Sequence, residues 1–211
     1  GAYDLLLPVF NIGTPGFAMV FGLGIGYIFF PRFASDPAQV RRSMRIGFYF
    51  VAAGIVVRSA SDIAVLLADG GGLDATAFFN TFYSALLYYA LALLSVPLWF
   101  RLIKRGASPY RQAALMVVGA YLVYKGAVWF LLEFEQEGFL QLCRLMLVAK
   151  FSYFNMSVGA ISGVAAGIYL AGWSEEGKSL RALVPRLTWS GSILAVMGVA
   201  LTFLGSGSWE G

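Results

Sequence analysis

Apolar residues along this chain fall into long, nearly unbroken runs separated by short polar stretches. Six runs stand out, at 9–30, 46–67, 77–100, 112–132, 151–173 and 187–204. Each comes close to the roughly 20 apolar residues a helix needs to cross a hydrocarbon core of about 30 Å. The alternation of apolar and polar positions that marks the strands of a membrane barrel is absent, so the runs predict helices. The predicted architecture is all-α: a polytopic membrane bundle of six transmembrane helices in a single domain, 1–211. No long-period repeat or low-complexity linker divides it.

The polar stretches between the runs alternate in charge. Arg32, Arg41, Arg42 and Arg45 follow the first run, and Arg101, Lys104, Arg105 and Arg111 follow the third. Lys178, Arg181 and Arg186 follow the fifth. The intervening stretches are acidic or mixed, with Asp69 and Asp74 after the second run and Glu133, Glu135 and Glu137 facing Arg144 and Lys150 after the fourth. The tail carries Glu210. By the positive-inside rule the basic loops face the cytoplasm and both termini face outward, as in a bacterial inner membrane. An outward N-terminus beginning at Gly1 is expected to follow a removed signal peptide or a preceding helix. Trp99, Trp129, Trp173 and Trp189 lie near the ends of runs, as an interfacial aromatic belt requires. The segment 133–150 is expected to extend the fifth helix outward through the headgroups, with a short interfacial helix as the alternative.

Composition narrows the chemistry. The chain is 59% hydrophobic and 12% charged, half the charged fraction of a soluble domain. Its net charge of +4 is confined to loops, so it points to membrane orientation and not to nucleic acid. Histidine is absent, which excludes bis-histidine haem and any Ser-His or Cys-His pair within this chain. A single cysteine, Cys143, excludes an internal disulfide and a multi-cysteine metal site. No catalytic residue, cofactor ligand or metal ligand is therefore expected from these side chains. Bound lipid is the ligand left open, and the expected partners are membrane lipids and other membrane proteins.

Charges inside the apolar runs are the main functional signal. Arg58 and Asp62, spaced i,i+4, share one helix face and can pair. Arg58 lies about 20 Å beyond Arg45, and Lys125 lies about 21 Å beyond Arg111 in the fourth run, by the helical rise of about 1.5 Å per residue. Tyr121 shares the face of Lys125, and Asn11, Asn80, Tyr83, Lys150 and Asn155 occur in the same half of the predicted bundle. Two readings stay open: neutralised or snorkelling charges, or a positive, water-accessible cavity for an anionic group. Gly159, Gly163 and Gly167, with Gly22 and Gly26, recur at four-residue intervals and predict smooth faces for close helix packing.

The first run and its loop, "GTPGFAMVFGLGIGYIFFPRFASDPAQVRRSMRIGFYF", resemble the second-helix region of the polytopic membrane acyltransferases that modify sugars and glycans. Phe17 and Gly22 fit the aromatic-rich run, and Arg42, Arg45 and Ile46 fit the Arg-x-x-Arg-Ile-like stretch. Phe21 stands where that family has serine and Gly47 where proline is common. The resemblance implies a catalytic histidine on a preceding helix, so no catalytic residue transfers to this chain. The function expected from all these features is a non-catalytic membrane subunit of a larger complex, packing against partner helices, lipids or pigments. The alternatives are an acyltransferase-like protein completed by a preceding helix and a small transporter of an anionic solute.

Overall fold

A computed structural model describes residues 2–131 and 134–177 and positions 179, 181 and 185, with side chains from Gly16 onward. The predicted sixth helix at 187–204, together with Glu133, Lys178, Arg186, Trp189 and Glu210, lies outside the described residues. Among the described residues seven helices form: α1 (Ala2–Ser35), α2 (Pro37–Ala68), α3 (Ala75–Phe82), α4 (Ala85–Lys104), α5 (Pro109–Leu131), α6 (Gly138–Val148) and α7 (Tyr153–Glu175). Five stretches of the described residues are helical, long and apolar enough to cross a membrane, which marks an integral membrane protein.

Local chemistry explains where the helices stop. α1 and α2 are separated by Asp36 alone, whose carboxylate accepts the Gln39 N–H at 2.9 Å. Pro37 follows at the first helical position, where its missing N–H leaves no intrahelical bond unmade. α2 closes with Gly70 at φ 75°, its N–H donating to Leu67 O, while Gly71 N–H donates to Leu66 O. That paired pattern is a Schellman cap, and the left-handed backbone at its centre favours glycine. Asp74 then caps α3 by accepting the Ala77 N–H. Ser108 and Pro109 start α5 in the same manner as Asp36 and Pro37 start α2, with Ser108 Oγ accepting the Arg111 N–H.

The helices run past the bounds of the apolar runs. α2 has 32 residues, a length of about 48 Å, which exceeds the hydrocarbon thickness. Hydropathy marks what lies in lipid, whereas a helix continues until a cap satisfies its terminal backbone groups.

Two expectations require correction. The run 77–100 is not one helix, because it breaks at Tyr83 and Ser84 into α3 and α4. Tyr83 is extended at ψ 111°, and Ser84 turns its Oγ to the Leu87 N–H and caps α4. The segment before the fifth run is not a straight extension of that helix either. It forms α6, which ends in a turn closed by Ser152 N–H on Ala149 O before α7 begins. Contacts with α3 hold the start of α6: Gly138 N–H donates to Thr76 Oγ1 at 2.9 Å, and Phe79 meets Phe139 edge-on at 5.5 Å between centroids. Arg144 on α6 also donates from Nε to Leu131 O, satisfying a carbonyl at the C-terminal end of α5.

α4 and α7 occupy the middle of the bundle. Tyr88, Val96, Phe100 and Ile103 of α4 are fully buried, as are Met156, Ala160 and Val164 of α7. α2 packs on α4, while α1 and α5 pack on α7. α5 buries only Ala113 and Ala120 among the described residues, and large side chains cover the rest of its surface. The tightest seam joins α1 to α7. A Cβ at Gly22 or Gly26 would strike the backbone of Ala160 or Val164, and one at Gly163 or Gly167 would strike Met19, Leu23 or Tyr27 backbone atoms. Glycines on both helices therefore let two backbones touch. In lipid, where burial of hydrocarbon gives no drive for association, such contact supplies the dispersion energy. Gly159, half-buried, lies one turn before Gly163 on α7.

Candidate functional site

The intramembrane charges of α2 sit on its outer flank. Arg58 Nε lies 3.5 Å from Asp62 Oδ2, and the two side chains are 48% and 44% exposed. Between them Ser59 is buried and donates its hydroxyl to Thr81 O of α3 at 3.2 Å. This bond turns the Ser59 side of α2 toward α3 and leaves Arg58 and Asp62 on the adjoining, half-exposed flank. Exposed Val56 and Val57 precede the pair and exposed Val65 and Leu67 follow it, so the charges interrupt an apolar surface band.

Lys125 is exposed on α5, its Nζ 5.7 Å from the centroid of the Tyr121 ring. That contact is cation–π, with the neighbouring Trp129 also exposed. No substantial interface joins α2 to α5, so Arg58 and Lys125 belong to separate surfaces. Lys150 is exposed at the α6–α7 turn beside the Phe151 ring, and its carbonyl accepts from Asn155 Nδ2 at 3.4 Å. Asn80 is exposed on α3. Asn11 lies within α1, where the backbone alone is described.

The polar groups that do come together were not singled out by the sequence reading. Tyr153 of α7 donates its hydroxyl to Ser95 Oγ of α4 at 2.6 Å, and Ser95 Oγ donates in turn to Leu91 O at 2.9 Å. The Tyr88 ring lies 6.1 Å from that of Tyr153. Tyr88 Oη, Ser152 Oγ and Ser157 Oγ are buried without a hydrogen-bond partner among the described residues. The spacing of Tyr88 and Ser95, and of Tyr153 and Ser157, at seven and four residues places each pair on one helix face. That signal was available, but isolated hydroxyls in apolar helices are common enough to carry little weight. The hydrogen bonds of this cluster join hydroxyls to one another and to a backbone carbonyl, an arrangement that suits helix registration or a bound water.

Among the described residues, grooves open at the end of the bundle that carries the basic residues. One, of about 470 Å³, runs between α1 and α7 beside Tyr27, Pro31, Arg32 and Glu175. A second, of about 340 Å³, runs between α2 and α4 and is lined by Arg41, Arg45 and Arg101 together with Met44, Leu93, Leu94, Pro97 and Leu98. Neither groove is lined by Arg58, Lys125 or Lys150. No cluster of three or more histidine, cysteine, aspartate or glutamate side chains that could hold a metal occurs among the described residues. No family model, curated protein or solved structure matches the chain.

Proposed function

We propose that this chain is a non-catalytic subunit of a larger membrane assembly and that a partner helix packs along the outer flank of α2. On this reading the chain crosses a bacterial inner membrane six times, with its basic loops in the cytoplasm and both termini outside. The observation that carries the proposal is the Arg58–Asp62 pair, half-exposed within an apolar surface band. An arginine or aspartate near the centre of a lipid-facing helix costs about 2.5–3.5 kcal/mol to insert, and somewhat less toward the interface. Pairing at 3.5 Å offsets part of that cost. A neighbouring helix offering a polar side chain or backbone carbonyl offsets more.

The exposed aromatic surface agrees with this assignment. Tyr49 and Phe50 on α2 and Trp129 and Phe130 on α5 leave broad rings uncovered on the two flanks of the bundle. Aromatic rings are effective anchors when another helix covers them.

Extraction from native membrane in a mild detergent, followed by mass spectrometry of the intact particle, tests the proposal. A stoichiometric protein partner is expected, and it should be lost when Arg58 and Asp62 are both replaced by leucine. If the chain leaves the membrane alone, or keeps its partner after the double replacement, the proposal fails.

A further inference from the structure

We infer that the groove between α2 and α4 binds a phospholipid with an anionic headgroup, taking the phosphate on Arg41, Arg45 and Arg101 and an acyl chain on the apolar side chains of the groove. This goes beyond the subunit reading and does not depend on a protein partner.

The groove is assembled from two parts of the chain. Arg41 and Arg45 are spaced i,i+4 in the first turns of α2, so both face the groove, and Arg101 enters from the last turn of α4. Arg41 is half-buried, whereas Arg45 and Arg101 are exposed. No carboxylate among the described residues forms an ion pair with any of the three. Asp36, the nearest acid in sequence, is engaged in capping α2. The N-terminal end of α2 adds the positive pole of its dipole to the same place. Three uncompensated guanidinium groups form a fork geometry that matches phosphate oxygens, which accept two N–H bonds from one arginine.

Apolar side chains line the rest of the groove. Met44, between Arg41 and Arg45 on α2, and Leu93, two turns before Arg101 on α4, are buried, and Pro97 stands inside α4 in the groove wall. A proline there has no N–H to give to Leu93 O and pushes the helix away from that carbonyl. The result is an open groove of about 340 Å³ lined by three arginines and by apolar side chains that continue along α4 away from Arg101. A soluble anion would use only the arginines. A phospholipid fits both parts, and basic pockets between helices at the membrane surface are suited to anionic headgroups.

The test uses the full chain purified in detergent and mixed with equal amounts of phosphatidylglycerol and phosphatidylcholine of identical acyl chains. Bound lipid is read by native mass spectrometry. The wild-type chain should retain phosphatidylglycerol preferentially, and inorganic phosphate at the same concentration should not displace it. The triple variant Arg41→Gln, Arg45→Gln, Arg101→Gln should lose roughly a hundredfold in retention, at about fivefold per arginine near the surface. The charge-matched variant Arg42→Gln, Arg105→Gln, Arg111→Gln removes three arginines outside the groove and should keep the preference. Helix content and melting temperature of both variants must match wild type, and the single variant Arg101→Gln replaces the triple one if that fails to fold. Equal retention of both lipids, displacement by phosphate, or equal losses in groove and control variants would overturn the assignment.

Discussion

The Tyr83 hydroxyl accepts the backbone N–H of Phe151 at 2.8 Å, and the two rings meet with centroids 5.6 Å apart. One residue lies at the break between α3 and α4, the other at the turn between α6 and α7. The break between α3 and α4 and the turn between α6 and α7 thus lie side by side, and the first satisfies an amide of the second. Where water is scarce, an unsatisfied amide is costly, so a break in one helix is tolerated because the second break meets it.

Tyr83→Phe removes the acceptor and leaves the Phe151 N–H unpaired in a part-buried site. We expect a loss of about 1–3 kcal/mol, the usual cost of an orphaned buried donor. Denaturant titration in detergent micelles measures it. A variant as stable as wild type would show that another group takes the Phe151 amide.

Gly163→Ala places a Cβ against the Met19 carbonyl of α1, whereas Gly54→Ala on α2 places one in open space. The first should lose about 1–3 kcal/mol through overpacking. The second should be neutral or gain up to about 1 kcal/mol from helix propensity. Melting curves of the two variants side by side decide it, and equal effects would contradict the α1–α7 seam.

Arg58→Leu leaves the Asp62 carboxylate alone in an apolar band and should destabilise the isolated chain by up to about 3 kcal/mol. Replacing both residues with leucine should restore most of that, since neither charge then faces hydrocarbon. Stability of the single and double variants in lipid nanodiscs measures the coupling. Additive losses would mean the two charges act independently.

Ser95→Ala and Ser157→Ala should differ although both remove one hydroxyl from the α4–α7 interface. Ser95 accepts from Tyr153, so its loss strands a phenol and should cost about 1–3 kcal/mol. Ser157 Oγ faces the Tyr88 and Tyr153 hydroxyls without forming a hydrogen bond of normal geometry, and its removal should change stability by less than about 0.5 kcal/mol or raise it. A large loss at Ser157 would reveal a bound water or ligand holding that hydroxyl.

Much of the architecture follows from short-range rules. Long apolar runs were enough to place α1, α2, α4, α5 and α7, because a bilayer demands length and hydrocarbon from every crossing. The i,i+4 spacing of Arg58 and Asp62 and the four-residue glycine intervals on the first and fifth runs are legible without coordinates. Each depends on neighbours within one or two turns. The break at Tyr83 was not legible, because its partner Phe151 is 68 residues away and the local sequence is apolar throughout. Nor was the gathering of Arg41 and Arg45 with Arg101, since those arginines belong to different loops and were visible only as orientation signals. The sequence by itself determined that the chain is helical, roughly where its long apolar helices lie and which connections carry the basic residues, all properties of local backbone bonding and hydropathy. Which helix faces meet, where two helices break together and which flank exposes the Arg58–Asp62 pair were decided by tertiary packing, because contacts between distant segments depend on shape complementarity that no local pattern encodes.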